Sequence, residues 1–466
     1  MGDGAYYSAQ MVNADPSRSR VFTAKGLATR ERILRASANV LLVDGLSAFS
    51  MDRVRQDASV SGSQLGHYFT DRDDLIRAVV ERQIQGVLDF HRQPNLGGLD
   101  TFDDWERWID LNTRYLRKIG YRGTATYHTL VGQLAKYDDA TRTTFADGYW
   151  RWVNLLEDSF ARMKSRGVLI NSAQPHELAL VVVSLHQGAG ILSYAYREEW
   201  PLAQVTRFAV NYLRLFAADP GQRSSRTPRR VRRRQDLKAQ SATPESRFTR
   251  KGLATRTRIV EGAAELMYER GVSGTSLEDV RKAAAVSGSQ ISHYFADKKD
   301  LIRQVVEART DFVVAFHNQP KLGHLDSLQS LRDWADLCWQ QAGPDYLRRG
   351  CVYGSLTGEL LEADESVLDV LALGYDKWLS VFEDGFCAMR ERGDLTSAAN
   401  PRHLAIALVS AHQGGAMVTH VTKSADPFRT AVDAAVTYVS SFATVSPRRA
   451  VGSRSRSKTA APQITR

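Results

Sequence analysis

Two nine-residue strings, SGSQLGHYF at 61–69 and SGSQISHYF at 287–295, gather hydrogen-bonding side chains on one short stretch, twice over. A glutamine amide can bond the N6 and N7 edge of adenine in a bidentate way, while serine, histidine and tyrosine suit phosphate oxygens. Small Gly and Ser residues would let a helix backbone approach a groove closely. Other chemistry is not spelled out. The chain has no G-x-S-x-G elbow, no P-loop, no G-x-G-x-x-G after a strand and no H-E-x-x-H. Its 11 His are scattered, and His186 and His412 lie on apolar helical stretches, where hydrogen-bonded core or interface residues are expected rather than metal ligands. Cys338, Cys351 and Cys387 fall only in the second half. Three thiols exclude a disulfide framework and suit a reducing cytoplasm, with buried structural Cys favoured over a thiol sensor. Neither an enzyme, a cofactor nor a metal is expected.

A chain of 466 residues, 43% hydrophobic and 24% charged, is globular and long enough for two to four domains. The formal charge of +10 is unevenly spread. Residues 221–247 hold nine Lys/Arg against two acids (+7) and residues 446–466 hold six against none (+6), leaving −3 elsewhere. The run Arg229, Arg230, Arg232, Arg233, Arg234 suits phosphate binding and suits a solvated, self-repelling linker equally well. The start MGDGAYYSAQ has no apolar export segment, and Tyr6 stands where a myristoylation signal wants Ser or Thr. Leu178–Tyr196, interrupted by His186, Gln187 and two glycines, reads as a buried helix and not a membrane span. A cytoplasmic location without membrane contact follows as the expectation.

Laid on itself with an offset of 226 residues, the chain matches at 33 of 61 positions from Phe22–Arg82 to Phe248–Ala308 without a gap. The register persists: Trp108, Tyr127, Tyr149, Trp152, His186, Gln187 and Gly188 meet Trp334, Tyr353, Tyr375, Trp378, His412, Gln413 and Gly414. A period this long means two complete domain sets, not a solenoid. The expected organisation is a disordered tail (1–21), a reader domain (22–82), a helical domain (83–219), a basic linker (220–247), a second reader (248–308), a second helical domain (309–445) and a basic disordered tail (446–466).

Periodicity is helical almost throughout, so the fold class is all-α. Ile33, Ala36, Ser37, Val40 and Leu41 follow 3/4 spacing up to Gly45; Ser50 caps a short helix; a break at 59–62 precedes a second short helix; and Asp71 starts a long one. Long, short, turn, short, long is a helix-turn-helix layout. Ala58–Leu75 (ASVSGSQLGHYFTDRDDL) and Ala283–Leu301 (AAAVSGSQISHYFADKKDL), with RERIL and RTRIV upstream, resemble the tetracycline-repressor (TetR) family of bacterial transcription factors. The resemblance implies that Ser61, Gly62, Ser63, Gln64, His67 and Tyr68, and their counterparts Ser287, Gly288, Ser289, Gln290, His293 and Tyr294, face double-stranded operator DNA. It also implies phosphate contacts at Ser50 and Ser276, on helix N-termini, and at Lys25, Arg30, Arg72, Lys251, Arg256 and Lys298. Phe69 and Phe295 read as core, Tyr68 as partly so, and His67 and His293 as either DNA-facing or simply solvated. Gly66 and Ser292 depart from the family, which usually has Tyr there, and Asp52 and Glu278 stand where a base-contacting cation is common.

In the resembled family the remaining helices form a ligand cavity and a dimer interface. Aromatics at helical spacing are more often core. Even so, Trp105, Trp108, Tyr127, Tyr149 and Trp152, with Trp334, Tyr353, Tyr375 and Trp378, are tentative linings for an apolar or aromatic small molecule in each unit. The apolar stretches 178–196 and 404–421, with the small residues Gly188, Ala189, Gly190 and Gly414, Gly415, Ala416, and the stretches 202–216 and 428–442, resemble the family's four-helix dimerisation bundle. The expectation is a ligand-responsive repressor whose two units form an intramolecular pseudo-dimer on a near-palindromic operator, with homodimerisation of the chain left open. The competing class is a helical scaffold or protein-binding module whose DNA readout has decayed.

Overall fold

A computed structural model describes residues 22–43, 45–121, 127–224, 248–360 and 365–444. The tails 1–21 and 446–466 and nearly all of the basic linker lie outside the described residues. The first unit runs α1 (Ala24–Val43), α2 (Gly45–Ala48), α3 (Met51–Asp57), α4 (Gly62–Tyr68), α5 (Arg72–Arg92), α6 (Phe102–Ile119), α7 (Tyr127–Leu134), α8 (Asp139–Ser165), α9 (Pro175–Tyr196) and α10 (Trp200–Arg214). The second runs α11 (Arg250–Arg270), α12 (Leu277–Ala283), α13 (Gly288–Tyr294), α14 (Lys298–His317), α15 (Leu328–Arg349), α16 (Val352–Leu360), α17 (Glu365–Glu391), α18 (Pro401–Thr422) and α19 (Asp426–Ser440). Among the described residues the only extended pairings are isolated bridges, Leu169 with Ala217 and Leu395 with Ala443.

Local chemistry sets the helix starts. Asp71 accepts a hydrogen bond from the Asp74 amide to open α5, Thr101 accepts one from the Asp104 amide at α6, and Pro175 and Pro401 occupy first-turn positions of α9 and α18, where a missing N–H costs nothing. In both units a buried histidine sits beneath the indoles. His91 and His317 donate from Nδ1 to the carbonyls of Val87 and Val313, leaving Nε2 to accept from Trp108 (3.1 Å) and Trp152 (3.3 Å), or from Trp378 (3.0 Å). The long helix α5 therefore belongs to the reader at its start and to the helical body at its end.

Almost every residue of α9 and α18 is buried, which is why these sequences are apolar all round. Each is long and apolar enough to cross a membrane by length and composition, yet each is enclosed by the fold: α9 packs on α8 and α10 of its own unit and on α18 and α19 of the other. Two glycine pairs let backbone meet backbone across this seam. Gly132 of α7 lies against its own repeat counterpart Gly358 of α16, and Gly188 of α9 lies against its counterpart Gly414 of α18. A residue that touches its counterpart lies near a two-fold axis, so the seam has the self-complementary form of an isologous interface.

A side chain at Gly414 would collide with the carbonyl oxygen of Ser184 and the amide of Gly188, both backbone atoms that cannot swing aside. Gly414→Val is therefore expected to cost about 3 kcal/mol in denaturant unfolding. Gly86→Ala, on α5 with open space around it, should be neutral or mildly stabilising. Equal behaviour of the two variants would show that the seam is looser than its contacts imply.

Candidate nucleic-acid interface

Each reader is assembled the same way. Between α3 and α4 the chain turns through Ser59 in a left-handed conformation (φ 51°), and between α12 and α13 through Ala285 (φ 49°). A side chain there costs on the order of 1 kcal/mol, so the turn is held from outside. Val60 and Val286 plug into the core on its far side, and Arg32 and Arg258 donate from Nε to the carbonyls of Ala58 and Ala284, each at 2.9 Å. These arginines, identical in the two copies, went without a role in the sequence reading; their identity was the available signal.

Leu65 and Phe69 anchor α4 to the core, as Ile291 and Phe295 anchor α13. The remaining surface of α4, Ser61, Gly62, Ser63, Gln64, Gly66 and His67, is exposed, and so is that of α13, Ser287, Gly288, Ser289, Gln290, Ser292 and His293. Tyr68 and Tyr294 are half-buried against Phe22 (5.1 Å between ring centres) and Phe248 (5.3 Å), which also contact His67 and His293. The phenylalanines thereby seat the end of each recognition helix on the start of the preceding long helix, beside the exposed Lys25 and Lys251. That seat was not foreseen.

The glutamines have two tasks. Gln64 Oε1 accepts from the Ser61 amide at 2.9 Å while Ser61 Oγ accepts from the Gln64 amide at 3.1 Å, a reciprocal capping box repeated by Gln290 and Ser287 at 2.8 and 3.2 Å. One lone pair of each amide oxygen is thus engaged, and a bidentate grip on adenine would share that oxygen with the cap. On these exposed residues Nε2 remains as the donor.

Several expected phosphate ligands are otherwise employed. Arg72 donates to the carbonyls of Phe49 (3.1 Å) and Leu46 (2.7 Å) and to Tyr137 Oη (2.6 Å), and Lys298 donates to the Val272 carbonyl at 2.9 Å. Leu46 and Val272 are repeat counterparts, so in both units this cation clamps the reader's own loop; burial also pushes the Lys298 amine below its usual range. Arg30 and Arg256 lie over the rings of Phe69 and Phe295, partly withdrawn from solvent. Ser50 and Ser276 cap α3 and α12, but at Ser276 the Asp279 carboxylate already occupies the helix end, accepting from the Ser276 amide at 2.9 Å. That hydrogen bonding holds Asp279 below the usual carboxylate range and closes the position to a phosphate. The free cations of the expected set are Lys25 and Lys251.

Of the aromatic linings, Tyr127 and Trp152 border a cavity in the first unit, whereas Trp105, Trp108 and Tyr149 are solid core. In the second unit Trp334, Tyr353, Tyr375 and Trp378 are all core, at 0–1% exposure and in ring contact with one another or with His317 and His412. Among the described residues, the expected aromatics thus border a cavity in the first unit and pack as core in the second.

Paired helix-turn-helix heads, each presenting a polar recognition helix and carried on a helical body, define a DNA-binding regulator. Residues 259–305 match "Bacterial regulatory proteins, tetR family" and residues 328–435 match "Tetracyclin repressor-like, C-terminal domain". The second unit thus carries both domains of a tetR-family regulator, and the chain is a transcriptional regulator of the DNA-binding, repressor type. It is similar to the transcriptional regulator AcuR of Cereibacter sphaeroides, 24% identical over 170 residues that span 36% of this chain and 78% of AcuR. It is also similar to the HTH-type transcriptional repressor DhaR of a Mycobacterium species, 21% identical over 173 residues spanning 37% of this chain and 85% of DhaR. Among solved structures, regulatory protein TetR from Rhodobacter sphaeroides aligns at 22% identity and TM-score 0.36, over 40% of this chain and 98% of its own. Reduced E. coli NemR aligns at 17% and 0.34, over 41% and 97%.

Proposed function

We propose that the protein is a cytoplasmic, ligand-responsive repressor in which two units of a single chain act as the halves of a dimer and read a near-palindromic operator. Residues 22–82 and 248–308 serve as the readers and residues 83–219 and 309–445 as the bodies. The observation that carries this is the pairing of two nearly identical exposed recognition surfaces with a seam where Gly188 meets its own counterpart Gly414. Tethering makes that association intramolecular, at an effective concentration on the order of millimolar for a flexible linker. In this reading Gln64 and Gln290 donate from Nε2 to a base edge in the major groove. Ser63, His67 and Tyr68, with Ser289, His293 and Tyr294, meet phosphates, and Lys25 and Lys251 supply flanking charge. Gly62, Gly66, Gly288 and Ser292 keep the helix close to the groove. The similarity to DhaR, a transcriptional repressor, supports the sign of regulation.

Selection from random DNA followed by mobility shift tests the reading. Gln64→Glu keeps an acceptor for the Ser61 amide but removes the Nε2 donor, and a carboxylate accepts from cytosine N4. The expected result is a loss of about 1 to 3 kcal/mol in specific binding and a change of preferred base in one half-site only; Gln290→Glu should alter the other. Light scattering should give 52.0 kDa. A single unrepeated half-site, no enriched sequence, or a stable particle of twice that mass would each defeat the pseudo-dimer reading.

A further inference from the structure

The two helical bodies are not equivalent. In the first, a cavity of about 150 Å³ lies among α5, α6, α7, α8, α9 and α10, walled by Phe90, Leu116, Tyr127, Trp152 and Leu202. In the second, that space is occupied. Phe428 stands at the repeat position of Leu202, and α15 runs four residues further than α6, bringing in Tyr346. The Tyr346 ring lies 4.9 Å from Phe428 and 5.5 Å from His412, and its hydroxyl is bonded to His412 Nε2 at 2.8 Å. Gln413 and His420 border a separate void of only about 30 Å³, walled also by Val131 and Lys136 of the first unit.

Polar satisfaction differs in the same sense. Gln413 is used by its own unit: Tyr375 Oη donates to its Oε1 at 3.3 Å, and its Nε2 reaches Cys351 Sγ at 3.5 Å. The counterpart Gln187 is fully buried and lines the open cavity, and neither its Nε2 nor its Oε1 meets a partner. A buried amide left with donor and acceptor both empty is costly, and such groups in folded proteins call for an explanation. The cavity wall contains no Asp, Glu, Lys or Arg. Its three imidazoles, His91, His128 and His186, are held neutral by burial. An ion entering would be buried without a countercharge.

We infer that this is a one-sensor regulator: only the first unit takes a ligand, an uncharged molecule of about one ring that offers Gln187 an acceptor and a donor together, while the second unit is a filled frame. The size follows from volume, since about 150 Å³ accommodates a benzene-sized molecule. The coupling is built into two helices. α5 carries the reader at its start and Val87, Phe90 and His91 at the cavity; α9 carries Gln187 at the cavity and Gly188 at the seam with α18. A molecule wedged between them moves the first reader against the seam, with no matching move in the second unit. This coupling rests on the regulatory reading above; the binding site and its chemistry do not.

Titration of the full chain with benzamide, followed by calorimetry and tryptophan fluorescence, tests the site. One equivalent should bind per chain, and benzoate should bind at least about tenfold more weakly. Leu202→Phe, which imports the residue of the filled unit, should abolish binding while the thermal transition is kept. Gln187→Leu should weaken benzamide by about tenfold and leave benzene nearly unchanged. Two equivalents per chain, benzoate binding as tightly as benzamide, insensitivity to both substitutions, or no benzamide bound at millimolar concentration would each overturn the inference. Benzamide binding in a chain that selects no DNA sequence would sink the regulatory reading and leave the site standing; the reverse would remove the site alone.

Discussion

Acidified from pH 7 to pH 5, the protein is expected to lose most of its folding stability. Burial pushes His91 and His317 down to about 4 and His412 and His420 down to about 3, from an ordinary value near 6.5. The sign follows from linkage. A base whose folded pKa is depressed stays neutral in the fold while the unfolded chain takes up the proton, so its stability is intact above 6.5 and is lost as pH falls toward the folded value. At pH 5 each of the four costs about 2 kcal/mol, together about 8, which is comparable to the whole stability of a typical domain. His128 and His186 act in the same direction, since burial lowers both, His128 to about 4. Glu359, Glu307 and Asp433 work the other way: burial raises their carboxyls, so acid relieves a cost there, but they are three carboxyls against six imidazoles. Denaturant unfolding at half-unit steps should show a steep decline below pH 6.5, with proton uptake on unfolding. A flat profile between pH 7 and 5 would mean that water reaches these rings.

What could be read in the sequence, and what could not, divides by the range of the interaction. Caps, turns and the polar face of the recognition helix are settled within a few residues, and the SGSQ strings carry them openly: Ser61 and Ser287 cap, Leu65 and Ile291 go inward, and the rest stays outside. The small residues that allow the seam were equally visible, because close approach of two helices demands them at Gly188 and Gly414. The loop clamps made by Arg72 and Lys298 were not legible, because their partners are backbone carbonyls some 26 residues upstream, at Leu46 and Val272, which no spacing rule records. Gln64 was read by what its amide could do to DNA; its bond to its own helix start competes for the same oxygen.

The cavity shows the sharpest limit. Four of the five aromatic positions that suggested two pockets are the same in both units, and the fifth, Trp105 against Leu331, is core in each, so their pattern does not distinguish a wall from a filled core. The difference is made by Leu202 against Phe428 and by the extra turn that brings Tyr346 inward. One of these residues lies on a different helix from the rings it meets, and the other depends on where a helix ends. Repeat symmetry in the sequence therefore predicts the frame faithfully and the space within it poorly.

Replacing Lys136 with Met is expected to destabilise the chain by about 3 to 5 kcal/mol. Lys136, just past α7 in the first unit, bonds Glu359 of α16 in the second at 3.1 Å and the Tyr268 carbonyl at the end of α11 at 3.0 Å; Glu359 also accepts from the Val272 amide. The two charged side chains are only 13% and 9% exposed, so removal of the cation strands a carboxylate away from water. Burial already raises Glu359, and Lys136 is the main influence holding it down. In the variant its pKa should climb further. The deficit relative to wild type, compared at equal pH so that the histidines cancel, should be largest at high pH and shrink as Glu359 takes up a proton. The double variant Lys136→Met, Glu359→Met should recover most of the loss, because two apolar side chains of similar volume leave no charge behind. The pair also encodes which halves may meet. The repeat position of Lys136 is Glu362 and that of Glu359 is Gln133. A seam between two first units would therefore offer Lys136 only an amide. Specificity of this kind comes from penalising the wrong partner as much as from rewarding the right one. Full stability in Lys136→Met, or a double variant no better than the single, would show that the ion pair is incidental to the seam and that the glycine contacts alone bring the units together.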